Sequence, residues 1–276
     1  MGTPPRSTRY VLGSSDPEHD RLRRQGRRLE RFTERFFRDA GIGPGQRVLD
    51  LGSGVGDVAL LVARLVGPGG AVVGVDRDAA ALAKARHRAA EAGLAQLRFI
   101  EADVNQLSGQ GPFDAAVGRF VLMFQPDPVA VLGTLAAQVA PGGLLAFQEA
   151  NWPAFLSQVA HLPLWSAAAG LIMESFRRSG VREDMARVLF RGFQEIGFPL
   201  PTMRLDVPID QGADTRRWLS DLIATLETRF RELGLSTQGL GDLGTLGDRL
   251  ERELDETRSY AAGIGMFGAW SRKPAR

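Results

Sequence analysis

The chain has no cysteine, two lysines (Lys84 and Lys273) and three histidines scattered along its length. The lack of cysteine excludes disulfides, thiolate metal sites and a cysteine nucleophile, and it fits a reducing, cytoplasmic setting. The histidines have no zinc-like spacing, so no metal is expected. The opening "MGTPPRSTRY" lacks the apolar core of a secretory signal, and no apolar run is long enough to span a bilayer. A large excess of one charge sign is missing too. Basic residues number 34 and acidic residues 32, a net charge of +2 that argues against one large nucleic-acid-binding face.

What is present is a regular alternation. A chain of 276 residues suffices for one large α/β domain with an insertion. "RVLDLG" reads as the first strand, with a helix from Val55 to Val66 after it. "AVVGVD" is the second strand, followed by a helix from about Asp78 to Ala92. "LRFIEAD", "FDAAVGRF" and "PGGLLAFQEA" are strands three to five, with "DPVAVLGTLAAQVA" a helix between the last two. Such units with short links imply a parallel, doubly wound sheet covered on both faces, with ligands at the carboxyl ends of its strands.

Upstream, "SDPEHDRLRRQGRRLERFTERFFRDAG" reads as a helix that Asp16 can cap, with Pro17 in its first turn and Gly41 at its end. Its apolar stripe is Leu22, Leu29, Phe32, Phe36 and Phe37. Gln25 lies on or beside that stripe, so it is either satisfied locally or facing a ligand. Arg21, Arg24, Arg28, Arg31 and Arg35 read largely as a solvated face, and His19 and His87 as solvated histidines. After Trp152 the alternation breaks. "FLSQVAHLPLWSAAAGLIMESFRRSG" reads as an apolar helical insertion and Arg182–Ile196 as a helix. "LPTMRLDVPI" is a candidate sixth strand, "DTRRWLSDLIATLETRFRELG" a further helix, Asp248–Ser259 another, and "GIGMFGAWSRK" the last strand.

The chemistry concentrates in "VLDLGSGVGD". Gly52 and Gly54, flanking Ser53, match the first two positions of a dinucleotide loop, but the third position is Asp57. That carboxylate, with Asp50 just before the turn, would repel a pyrophosphate and attract a ligand ammonium group. Asp76, next to Arg77, ends strand two about twenty residues on, where a carboxylate accepts from two ribose hydroxyls. Asp103 can accept from an adenine amino group while Val104 packs on the ring. Amino acid, ribose and adenine together describe S-adenosyl-L-methionine. Arg119, ending strand four, can contact the methionyl carboxylate or the lid. Glu149, ending strand five, is a candidate substrate-facing base or cation stabiliser, or else a structural hydrogen-bond acceptor, and His161, in the insertion, is a candidate base, or else a packing or surface histidine.

In these pieces, taken in order, the sequence resembles the class I S-adenosylmethionine-dependent methyltransferases, and among them bacterial small-molecule enzymes of the ubiquinone/menaquinone type. "VLDLGSGVGD", "VVGVD", "EADV" and "PGGLLAFQE" carry the resemblance, closely over Val48 to Gln148, and "RYVLGSSDPEHDRLRRQ" extends it. It implies a Rossmann-like α/β fold, doubly wound, with a seven-stranded, mostly parallel sheet, an antiparallel last strand and a helical lid. Residues 1–41 would be an arm and helix closing over the cofactor, with Tyr10 and Gln25 as its contacts. Residues 42–151 and 182–276 would form the core, with a helical insertion at about 211–245, and 152–181 the lid. The "PPY" signature of amide and adenine nitrogen methylation is missing, as is an adjacent Asp-Asn metal pair. The expected partner is a small, largely apolar acceptor, with no nucleic acid, no membrane span and a monomer or homodimer. Rival readings are an NAD-dependent dehydrogenase, a protein that senses S-adenosylmethionine without catalysis, and an RNA methyltransferase.

Overall fold

The structure, a computed structural model, describes residues 11–103, 107 and 109–275. Tyr10 and Val104 lie outside the described residues. Helix α1 (Asp16–Ala40) is capped by Ser15 rather than Asp16: the Ser15 hydroxyl accepts from the Glu18 N–H at 3.3 Å. Asp16 falls one residue inside the helix, where its charge still suits the positive end of the dipole. Gly41 ends the helix in the left-handed region.

The alternation then runs β1 (Arg47–Leu51), α2 (Asp57–Val66), β2 (Ala71–Asp76), α3 (Ala79–Glu91), β3 (Leu97–Glu101), β4 (Phe113–Arg119), α4 (Pro128–Gln138) and β5 (Val139–Asn151). Helices α5 (Trp152–Gln158) and α6 (Pro163–Ser179) form the insertion, followed by α7 (Met185–Glu195) and β6 (Thr202–Asp206). A short strand β7 (Ile209–Asp210), α8 (Ala213–Glu232), α9 (Leu246–Glu256), β8 (Ala261–Ala262) and β9 (Gly265–Arg272) complete the chain.

The main sheet has seven strands in the order β3-β2-β1-β4-β5-β9-β6. Strands β1 to β5 pair in parallel, and β9 inserts antiparallel between β5 and β6. The order reverses between β1 and β4, which opens a crevice at their carboxyl ends. Alternate residues of each strand serve opposite faces. Val48, Val72 and Ala115 pack under α1, α2 and α3; Leu49, Val73 and Ala116 pack under the other helices.

The insertion shares that second core. Trp152, Phe155, Trp165, Ile172 and Phe176 are buried together with Leu222, Ile223 and Leu226 of α8 and Leu250 of α9. Helices α5 and α6 are thus welded to the sheet by apolar burial rather than hung from it as a loose flap. Nor is the arginine-rich helix α1 a solvated face throughout. Arg21 is buried against the equally buried Glu18, at 2.6 Å, while Arg24 and Arg27 pair with Asp221 and Asp214 of α8 at 2.8 and 3.3 Å.

Candidate cofactor-binding and active site

Apolar β1 carries the chain to the crevice, where three glycines at positive φ turn it back into α2: Gly52 at 65°, Gly54 at 50° and Gly56 at 89°. At Gly52 a Cβ would stand 2.5 Å from Cγ2 of Val121 on the neighbouring β4 turn. A side chain at Gly52 would therefore have to displace Val121, which itself lines the cavity. Gly52→Ala should destabilise the fold by roughly 1–2 kcal/mol from the left-handed backbone alone, and should abolish ligand binding in the crevice. A melting curve and a titration with S-adenosylhomocysteine check the two effects.

The turn floors a cavity of about 510 Å³, within the size range of small-molecule sites. Its lining includes Gln25, Gly52, Ser53, Gly54, Asp76, Arg77, Asp103 and Arg119, so the structure brings these sequence candidates together. At one end, Asp76 uses one oxygen to accept from Gly54 N–H at 2.8 Å and the other to accept from Asp78 N–H at 2.9 Å. Each oxygen keeps lone pairs for a further donor. Sequence reasoning missed His19 and Asp78 at this end. His19 is 2% exposed rather than solvated, and its Nε2 lies 3.2 Å from Asp78 Oδ2, which also accepts from the Ser14 hydroxyl. The signal was present, because His19, Leu22 and Gln25 recur every three residues on one face of α1. His87, by contrast, is exposed as read, beside Glu91.

The lining also includes Leu22, Gln25, Arg119, Phe120, Phe124 and Gln125. Gln25 accepts from Arg21 at 2.8 Å, and Arg119 donates to Thr33 at 3.0 Å. Burial lowers the Arg119 pKa; the Asp57, Asp50 and Glu30 carboxylates oppose it. Asp50 stands behind the turn, off the cavity lining, 1% exposed and with neither oxygen hydrogen-bonded. Burial pushes its pKa well above the carboxylate range, against the nearby Arg119 charge. Asp57 lines the cavity but is anchored by Arg88 at 2.8 Å, so its charge is partly met by the protein itself.

Neither candidate base reaches the cavity. Glu149 is fully buried on the opposite side of the β4 turn, where its carboxylate accepts from the N–H groups of Val121, Leu122 and Met123 at 3.2, 2.8 and 3.3 Å. Phe120 shows what the clamp holds: a bulky residue at φ 54°, in a region such side chains avoid. His161 is exposed, with Nε2 3.1 Å from the Ser259 hydroxyl, and it does not line the cavity.

Residues 42–182 match a protein family described as a methyltransferase domain. The chain belongs to this methyltransferase family. Over 128 residues it is 36% identical to the ubiquinone/menaquinone biosynthesis C-methyltransferase of Bdellovibrio bacteriovorus, a match covering 45% of this chain and 54% of that protein. The chain spans about half the length of the curated methyltransferases it matches. Two solved structures share the fold. A methyltransferase-like protein of Bacillus halodurans superposes with a TM-score of 0.58 at 16% identity, over 88% of this chain and 98% of that one. The [4+2]-cyclase SpnF also gives 0.58, at 21% identity, over 90% and 82%. The methyltransferase domain so matched contains the glycine turn, Asp76, Asp103, Arg119 and Glu149. Helices α1 and α8, which bring Gln25, Arg28 and Trp218, lie outside the matched residues.

Proposed function

We propose that the protein transfers a methyl group from S-adenosyl-L-methionine to a small, largely apolar acceptor. The observation that carries this reading is the pattern of carboxylates around the glycine turn. Asp76 presents two half-occupied oxygens to a diol, and Asp57 adds a carboxylate to the same lining. A diphosphate bridge would meet like charge from Asp76 and Asp57, whereas a ligand with an ammonium group and a ribose finds acceptors. Asp103, Arg119 and Gln25 share that lining, and the reading assigns Asp103 to the nucleoside and Arg119 and Gln25 to the amino-acid part of the cofactor.

When bound, the cofactor supplies an electrophilic methyl group. The residues of this chain then have to hold the acceptor in line with it and keep water away. Leu22, Phe120 and Phe124 give the cavity an apolar wall. With Glu149 committed to the β4 turn and His161 on the surface, positioning rather than base catalysis is what these residues supply. The α1 arginines argue against an RNA substrate, because Arg21, Arg24 and Arg27 are already paired with carboxylates. No helix of the described residues is long and apolar enough to cross a membrane.

Calorimetry should show S-adenosylhomocysteine binding and no binding of NAD. Incubating metabolite extracts with methyl-labelled cofactor should then yield a labelled small molecule. Tighter binding of NAD would replace this reading with a dehydrogenase; cofactor binding with no transfer to any extract would leave a sensor or a fold-related cyclase.

A further inference from the structure

Helix α1 carries a buried ion pair with one arm that ends at the cavity. Glu18, Arg21 and Gln25 stand at i, i+3 and i+7, on one face of the helix. Arg21 donates from Nε and Nη2 to the two oxygens of Glu18 at 2.6 and 2.8 Å, and from Nη1 to Gln25 Oε1 at 2.8 Å. Glu18 is 1% exposed and Arg21 6%. A pair at this spacing adds little to helix stability, whereas taking both charges out of water is costly. What the pair does is fix Gln25. A guanidinium held on two nitrogens by one carboxylate has a set direction, and its third nitrogen is aimed along the helix at the amide.

Arginine has donors and no acceptor, so the Gln25 atom that meets it is the amide oxygen. That settles an orientation that is otherwise open for a glutamine. The Gln25 nitrogen makes no hydrogen bond among the described residues and is not sealed from solvent, and Gln25 lines the cavity. The open group it offers a ligand is therefore a donor. The next residue, Gly26, packs so closely on the Asp57 carboxyl group that a Cβ would overlap it. Asp57 and Arg119 share the cavity lining with Gln25. An amino acid bound there meets Asp57 with its ammonium group and the donors of Arg119 and Gln25 with its carboxylate. Helix α1 is held in place by α8: Arg24 pairs with Asp221 at 2.8 Å, and the Arg28 guanidinium lies over the Trp218 ring, 5.2 Å from its centroid. Glu18, Arg21 and Gln25 lie outside the residues matched by the methyltransferase domain, so the match does not account for them.

We propose that Arg21 is a positioning residue: held by Glu18, it turns the Gln25 amide so that its NH2 group faces the cavity and binds the carboxylate of the cofactor's amino-acid part. This rests on the methyl-transfer reading above and deepens it, because it fixes which atom of Gln25 the ligand meets and gives the buried pair a task.

The test compares S-adenosylhomocysteine with 5′-methylthioadenosine, which keeps adenine, ribose and sulfur but lacks the amino acid, by calorimetry on the full chain. The unsubstituted protein should bind S-adenosylhomocysteine at least about tenfold more tightly. Gln25→Glu leaves the Glu18–Arg21 pair in place and can still accept from Arg21, but it turns a like charge instead of a donor toward the ligand carboxylate. Its S-adenosylhomocysteine affinity should fall at least about tenfold while methylthioadenosine affinity stays within about twofold. Glu18→Gln combined with Arg21→Met removes both buried charges together, so no carboxylate is left orphaned. With its amide free to turn, Gln25 should then lose about threefold or more of the preference for S-adenosylhomocysteine, again with methylthioadenosine unaffected. Arg21→Lys, whose ammonium still marks the amide oxygen, should retain part of the preference, and it carries the same comparison if the double variant does not fold. Equal losses for both ligands in these Arg21 variants, or no loss for either, overturn the proposal by making the pair a support of the helix alone. Unchanged or tighter S-adenosylhomocysteine binding by Gln25→Glu overturns it too, because the ligand then meets the amide oxygen or no part of Gln25, as does the absence of any preference in the unsubstituted protein. Each of these results leaves the methyl-transfer reading intact. Failure of the unsubstituted protein to bind S-adenosylhomocysteine brings down the methyl-transfer reading itself.

Discussion

Asp76→Ala should weaken S-adenosylhomocysteine binding by about 2–3 kcal/mol, roughly 30- to 150-fold, when measured by calorimetry. Two losses combine. The ligand loses a charged acceptor for its diol, and charge-assisted hydrogen bonds are about twice as strong as neutral ones. The protein also loses the link from Asp76 to Gly54 N–H at 2.8 Å, which holds the glycine turn against the end of β2. Asp76→Asn separates the two contributions. Its amide oxygen can still accept from one backbone N–H, so the turn is partly retained while the charge toward the ligand is gone. Asp76 is half-buried at a strand end and contributes to neither apolar core, so both variants should fold. Unchanged affinity in a folded Asp76→Ala protein would place the ribose elsewhere.

Asp76 was legible from sequence because strand, turn and helix signals are local, and a carboxylate at a strand end after a glycine turn has a fixed address. The same holds for Gly52, Gly54 and Arg119, each tied to the end of a strand whose alternation and flanking glycines are written in a few residues. The parallel sheet and the antiparallel insertion of β9 follow from that pattern and from the resemblance. What a sequence does not display is which side of an element meets which partner. The α1 arginines look like a solvated run, and Arg31 and Arg35 are exposed; Arg21 is buried because α1 is covered along part of its length. His19 is hidden by Asp78, 59 residues away. Arg28 meets Trp218, nearly two hundred positions on, and no local periodicity records that contact. The insertion between Trp152 and Gly180 was legible as apolar helix, but its packing into the core depends on α8 and α9.

Glu149 is the residue whose expected role changes most, and its substitution should have the largest effect on the fold. Glu149→Ala leaves the buried N–H groups of Val121, Leu122 and Met123 without an acceptor. At about 1–3 kcal/mol for each unsatisfied donor, a loss of roughly 3 kcal/mol or more is expected, lowering the melting temperature on the order of 10 °C. The loss should extend to the ligand, because the released segment carries Phe120 at φ 54°, and Phe120, Val121 and Phe124 all line the cavity. A base acting on the acceptor would instead leave stability and cofactor affinity intact while turnover fell, so the two roles are separable. Glu149→Gln refines the test. Its carbonyl can accept from Val121 and Leu122 as Oε1 does now, but its amide would face the Met123 N–H donor to donor. A milder destabilisation is therefore expected. The pH dependence distinguishes the carboxyl as well. Burial raises Glu149 from 4.5 to about 7, against the pull of the three backbone donors. The folded chain thus holds a proton there that the unfolded chain has released, and stability contributed by this group is complete below about 4.5 and declines as pH rises through about 7. Glu149→Gln cannot titrate, so the stability difference between the unsubstituted protein and this variant should shrink as pH is raised from 5 to 8. Denaturant melts at several pH values measure it. A difference that grows with pH instead would mean that the three donors outweigh burial and that the clamp works as a fully charged carboxylate.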